Sequence, residues 1–435
     1  MTTTRPGSIA TAKPEDHGAA DWVQPLLAVV AAFGAYFCMY GLRKPFTAAT
    51  YADAEVFGIG FKPALVISQV LGYTLSKFIG IRMVSEITPR WRAVVLAGLV
   101  VFAESALVVF ALVPRPWAVA CLFLNGLPLG MVFGLVLAPL EGRRLTELLT
   151  AGLCASFILA GGVMKSTGVW LLNLGISEAW MPAAAGAIYL GPLAAFTLML
   201  HAVKPPSAAD QAARCERRPM NGRDRRNFLA RYGGVVLAIV SVYVLTNVIR
   251  NLRDDFSPEI WRGLGITAPP EVFTQTECLV ALGVLAASGV AVIIRDNRTG
   301  FDFSLAVCTT GFGLLAAALG AREAGLIDGF AFMVLTGLGL YLPYVAIHTT
   351  VFERLLALTR EPGTIGFLMY LADAFGYLAY VGLMLGGGIM SSRVDPLRLF
   401  ITSSWIAIAL SLVALGFCWW CRPMPSRCHD PATYS

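Results

Sequence analysis

Residues 233–250 read GGVVLAIVSVYVLTNVIR, eighteen positions whose single charge is the closing arginine. About 20 mainly apolar residues cross a bilayer core as a helix, and with its flanks this run gives a span over 229–252. Tyr243 and Arg250 lie seven residues apart, about two helical turns, so they share a face. A charge within a membrane helix costs about 2.5–3.5 kcal/mol on insertion scales and therefore faces a protein interior or a water cavity. One stretch thus yields both a membrane helix and a residue for a site.

The same pattern occurs near the N-terminus, where Tyr36 precedes Arg43 by seven residues. Reading outward from both gives twelve apolar spans: 22–50, 63–88, 93–113, 117–141, 147–172, 180–203, 229–252, 271–294, 302–320, 328–352, 363–390 and 397–421. The loops between them are short except for a polar, arginine-rich stretch over 204–228. That stretch divides the spans six and six. The expected organisation is a tail over 1–21, a six-helix bundle over 22–203, a linker over 204–228, a second bundle over 229–421 and a tail over 422–435. The fold class is an all-α integral membrane protein. Tyr36/Arg43 and Tyr243/Arg250 open the two halves equivalently, which fits a parallel repeat with a site between the halves.

Composition excludes the competing classes. Of 435 residues, 57% are hydrophobic and 14% charged, with a mean hydropathy of +0.69, against about 45–50% and 25% in soluble domains. The net charge of +6 resides in short basic loops, so nucleic acid is not an expected partner; the lipid bilayer is. With the N-terminus in the cytoplasm, nineteen Lys and Arg residues fall in cytoplasmic loops and seven outside, Lys62 and Arg253 among the seven. The positive-inside rule then places both termini and the linker in the cytoplasm of a plasma membrane, in a bacterium the inner one. The first twenty residues hold no apolar signal segment. Six of nine cysteines lie in apolar runs as small hydrophobes. Cys418-Trp419-Trp420-Cys421 has a CxxC spacing without a second pair to complete a metal site. No metal, cofactor or ATP is expected: Gly161-Gly162-Val163-Met164-Lys165-Ser166-Thr167 lacks the glycine before lysine of a phosphate loop.

Five basic residues remain within spans: Arg43, Lys44, Lys77, Lys165 and Arg250. Glu104 and Asp373 are acidic residues within spans, able to relay protons or to pair with Lys77 or Lys165. Lys165 either snorkels to the outer interface or lines a cavity. Arg250 has an internal alternative partner in Asp254, four residues on. His348 reads as a packed polar residue of the tenth span. Gly126, Gly130 and Gly134 clear one helix face for close backbone approach, and Pro128, Pro139 and Pro343 bend helices. Glu141-Gly142-Arg143-Arg144 reads as a loop ion-pair cluster or as plain anchoring.

Several motifs resemble one family in both halves and in the same order. Tyr40-Gly41-Leu42-Arg43-Lys44-Pro45-Phe46 resembles a first-span signature, and Ser76-Lys77-Phe78-Ile79 with Pro89-Arg90 a second-span one. Asn125-Gly126-x3-Gly130-Met131 resembles a fourth-span pattern. Arg250-x4-Asp255-Phe256-Ser257-Pro258 resembles the seventh. Glu277 with Arg295-x-Asn297-Arg298 resembles the eighth, and Phe375-Gly376-Tyr377-Leu378 the eleventh. The chain resembles the major facilitator superfamily, and within it the organophosphate:phosphate antiporters. The resemblance implies that Arg43 and Arg250 clasp a substrate phosphate with Lys77 nearby, and that Lys44, Asp255 and Glu277 form an ion-pair network beside it. Tyr36, Tyr40, Tyr243 and Asn247 share those faces and complete the candidate binding set. Lys165, Glu104 and Asp373 are further cavity charges. The family's fifth-span histidine has no counterpart here, its place falling near Ile158.

The function expected is exchange of an organophosphate or similar small organic anion against phosphate by a monomer that is not an enzyme. The alternatives are a proton-coupled carrier of another organic anion, using Glu104, Asp373 or His348, and a membrane sensor that kept the fold.

Overall fold

A computed structural model describes residues 20–51, 55–56, 58–137, 139, 146–203, 222–359, 365–386 and 395–421. The Glu141–Arg144 cluster, most of the linker and Cys428 lie outside the described residues. The fold is all-α, with one short antiparallel hairpin that periodicity did not reveal. It pairs Glu55–Val56 with Ile59–Gly60 around Gly58, whose φ of 73° suits glycine.

The N-terminal bundle is built from α1 (Ala20–Met39), α2 (Phe61–Glu86), α3 (Pro89–Leu112), α4 (Arg115–Leu137), α5 (Thr146–Asn173) and α6 (Met181–His201). The second is α7 (Gly222–Asp255), the short α8 (Ser257–Gly263), α9 (Pro270–Ile293), α10 (Asn297–Glu323), α11 (Gly329–Ala346), α12 (Phe352–Thr359), α13 (Ile365–Gly386) and α14 (Pro396–Trp420). Counting α11 and α12 as one span and leaving out the seven-residue α8 gives twelve. Among the described residues nine helices are long and apolar enough to cross a membrane, and shorter apolar segments cover Leu26–Leu42 and Leu371–Gly386. The chain is a multi-pass membrane protein. The remaining span, α2, carries Lys62, Lys77, Arg82 and Glu86, which dilute its apolar character.

Two spans depart from plain helices. The first was expected to run to residue 50, yet α1 stops at Met39. Two 3₁₀ turns follow, Tyr40–Leu42 and Pro45–Ala48, and the amides of Arg43 and Lys44 both donate to the Tyr40 carbonyl. Pro45, without an N–H, cannot continue an α-helical ladder. The tenth span passes from α11 through a π-helical turn, Ile347–Val351, into α12, four residues beyond Pro343.

Glycines set the closest packing. A Cβ on Gly126 would overlap the Gln69 carbonyl oxygen, and one on Gly130 would lie 2.6 Å from that of Tyr73, so α4 lies directly on α2. On α5, a Cβ on Gly162 would overlap the Phe273 carbonyl oxygen of α9. The Ser166 hydroxyl hydrogen-bonds the Pro270 carbonyl at 2.5 Å and lies 2.7 Å from the Thr274 hydroxyl. These contacts make α5–α9 a seam between the bundles, and α2–α13 is a second.

Candidate functional site

The seams carry buried charge. Lys77 of α2 pairs with Asp373 of α13, which also accepts a hydrogen bond from the Tyr243 hydroxyl of α7. Lys44 lies 2.5 Å from Asp254 and 2.6 Å from Asp255. Lys165 of α5 pairs with Asp254 as well. The sequence left Lys165 a choice of interface or cavity; it is buried and paired.

Three expectations need correction. Glu277 does not join Lys44: its partner is Arg253, at 2.7 Å, and the second arm of Arg253 donates to the Met333 carbonyl at 2.8 Å. Arg253 was expected outside, just beyond a span ending at residue 252. In fact α7 continues through it, and it is 1% exposed. Lys62, also read as a loop residue, is buried at the start of α2. It bonds Glu259 at 2.7 Å and the Thr47 carbonyl at 2.7 Å. The internal alternative for Arg250 does not form, since Asp254 is held by the two lysines.

Arg43 and Arg250 stand apart from all these pairs. They are 4% and 5% exposed, and among the described residues neither has a carboxylate partner. The Arg43 guanidinium lies 4.0 Å from the Tyr73 ring centroid and 5.5 Å from that of Tyr40, with a long contact of 3.4 Å to the Tyr40 hydroxyl. The Arg250 guanidinium lies 4.4 Å from Tyr344 and 5.6 Å from Tyr341. It donates to the side-chain oxygens of Asn247 and Asn251 at 2.9 and 3.1 Å. Tyr40 and Tyr377 lie within electrostatic reach of both guanidiniums. Both Nε–H groups are buried without a partner. A guanidinium has five N–H donors, and buried donors left unmatched call for an explanation.

Formal charge sharpens the point. In this buried cluster the cations are Arg43, Lys44, Lys77, Lys165, Arg250 and Arg253, and the carboxylates Asp254, Asp255, Glu277 and Asp373. Six against four leaves an excess of two positive charges, located on the two unpaired arginines. Aromatic contact compensates only part of a buried charge, about 2 kcal/mol per desolvated cation–π pair. The arrangement is therefore suited to an oxyanion with two negative charges, held by forked N–H groups.

Around the arginines runs a continuous circuit. Tyr73 contacts Lys77 at 5.3 Å and packs on Tyr377 at 5.3 Å. Tyr243 stacks on Tyr344 at 5.1 Å, and Tyr380 donates to Asp255 at 3.0 Å. Tyr36 is one layer back, edge-on to Tyr40 and Phe133, both at 5.4 Å. Glu104 takes no part in the circuit; its Oε2 is buried near Gly186 of α6 without a hydrogen-bond partner. Sequence reading assigned no role to Tyr73, Tyr341, Tyr344 and Tyr380, offered Tyr377 only within a motif and Asp254 only as a partner for Arg250, and put Arg253 outside the span. Helical spacing held a signal for three of them: Tyr73 is four residues before Lys77, Tyr377 four after Asp373, and Tyr344 four before His348.

No curated protein sequence matches the chain. Solved structures do match. The D-xylose-proton symporter aligns with a TM-score of 0.63 and 15% identity, over 92% of this chain and 97% of the other. The human organic anion transporter MFSD10 (TETRAN) gives 0.55 and 15%, over 90% and 99%. A major facilitator superfamily proton:xylose symporter bound to 6-bromo-6-deoxy-D-glucose gives 0.60 and 14%, over 92% and 96%. At such identities the likeness is one of fold, and the fold is that of the major facilitator superfamily. A family model matches residues 45–421, and the chain accordingly belongs to the family of unknown function DUF5690.

Proposed function

We propose that the protein is a secondary transporter that works by alternating access and exchanges an organophosphate, or a similar organic anion, against phosphate. The observation that carries this reading is the pair of buried, unpaired arginines, one from each bundle, in a cluster whose other cations are neutralised. A phosphate dianion matches both the excess charge and the forked donors. Arg43 enters from the break after α1 and Arg250 from α7, so the anion contacts both bundles at once. Rocking of one bundle against the other around a fixed site is the usual course of alternating access.

Lys44, Lys62 and Lys165 pair with acids of the second bundle at the end where α1 stops and α2 begins. Under the positive-inside orientation this is the outer face, so these pairs hold the outer side shut. Both termini are then cytoplasmic, and the transporter sits in the plasma membrane as a monomer. The test is counterflow of labelled phosphate into proteoliposomes preloaded with unlabelled phosphate or a phosphate ester, with accumulation expected in both cases.

A second reading has its own observation. The unpartnered Oε2 of Glu104 is a place for a proton, and a proton-coupled carrier of another organic anion would use it. Failure of phosphate counterflow, together with uptake of a carboxylate driven by a pH gradient, moves the function to that reading.

A further inference from the structure

His348 is buried at the first bundle's contact with the second, and the exchange reading gives it no role. It lies in the π-helical turn Ile347–Val351, 6% exposed. π-turns are rare and concentrate at functional sites. Its ring stacks on Tyr243 at 5.6 Å and 25°, and on Tyr344 at 5.3 Å and 21°. Phe133 of the other bundle meets it edge-on at 6.4 Å. These rings fix the plane of the imidazole. Its Nδ1 is enclosed and has no hydrogen-bond partner.

The carboxylate within electrostatic reach of the ring is already committed. Asp373 is taken by Lys77 and the Tyr243 hydroxyl. Tyr344, against which His348 stacks, is also the ring beneath Arg250. An oriented polar atom without a protein partner therefore sits one aromatic ring away from the unpaired arginine. Imidazole offers one donor and one acceptor nitrogen when neutral. A hydroxyl, which both donates and accepts, is the complementary group.

We propose that His348 is a specificity-determining residue, whose Nδ1 hydrogen-bonds a hydroxyl on the organic part of a phosphate ester held by Arg43 and Arg250. This rests on the phosphate reading of the site. A site built to bond a hydroxyl rejects an analogue lacking it, because the buried polar group is then left unmatched.

The test is calorimetric titration of the purified protein with inorganic phosphate, propyl phosphate and glycerol phosphate. His348→Phe keeps an aromatic ring to stack but removes the nitrogen. His348→Asn loses the ring but keeps a polar atom near the Nδ1 position. The wild type is expected to prefer glycerol phosphate over propyl phosphate by about ten- to a hundredfold. His348→Phe should abolish that preference while leaving propyl phosphate and inorganic phosphate within about twofold, and His348→Asn should retain much of it. A stacking role alone predicts the reverse order of the two variants and overturns the proposal. So does an equal loss for all three ligands, or an unchanged preference in His348→Phe. Should His348→Phe not fold, an Asn variant that weakens all three ligands alike overturns it. Wild-type protein that binds none of the three removes the phosphate reading itself, and the proposal with it; esters bound without regard to His348 remove the proposal alone.

Discussion

Lys44 sits between Asp254 and Asp255, and Asp254 is shared with Lys165. Removing one partner of a buried pair strands the other, typically at about 3–5 kcal/mol. We predict that Lys44→Ala destabilises the protein by about that much, and that Asp255→Asn in the same chain offsets part of the loss. Glu277→Gln, by contrast, breaks the separate Arg253 pair and should add to Lys44→Ala within about 0.5 kcal/mol. Chemical denaturation in one detergent, over this set of single and double variants, decides; strict additivity of Lys44→Ala with Asp255→Asn would remove the network. At this scale the sequence was readable where a charge interrupts an apolar run, as at Arg43, Lys77, Arg250 and Asp373. It misled where charges cluster at a span's end. Arg253 looked like the start of a loop because nothing local shows that Glu277, twenty-four residues on, is its partner.

Elements were legible as long as their pattern was local. Twelve apolar runs gave the twelve spans, and the glycine spacing of α4 anticipated its close contact with α2. The break after Met39 and the π-turn after Pro343 were not legible. Both depend on how a proline's missing N–H is accommodated by its neighbours. The break matters to the site: it directs Arg43 to Tyr73 and its neighbour Lys44 to the acids of α7. The α5–α9 seam offers a test at this scale. Gly162→Ala puts a Cβ against the Phe273 carbonyl oxygen and should destabilise by about 1–3 kcal/mol, the usual effect of overpacking. Gly98→Ala on α3 meets no atom within 4 Å and should be neutral or stabilising by up to about 1 kcal/mol. Equal melting temperatures for the two variants would contradict the packing.

The whole molecule is two six-helix bundles joined along α2–α13 and α5–α9, and among the described residues every charge of the buried cluster but two is neutralised. The fold class was readable because apolar spans, short loops and one long polar stretch suffice to count helices. What the charges do was only partly readable, because pairing depends on contacts as far as 296 residues apart, as between Lys77 and Asp373. Orientation has its own check. In a chain whose sole remaining cysteine is Cys215, a membrane-impermeant thiol reagent should label only from the cytoplasmic side; labelling from outside alone would invert the topology. In the proposed function Arg43 and Arg250 together clasp a phosphate by their forks. Lysine keeps the charge at either position but loses the planar fork. The measurement is phosphate counterflow in proteoliposomes with wild type, Arg43→Lys and Arg250→Lys reconstituted to equal levels. Exchange by the wild type is expected, with a loss in each lysine variant of about tenfold or more, in line with losing a charge-assisted pair. Full exchange in both lysine variants would contradict the clasp.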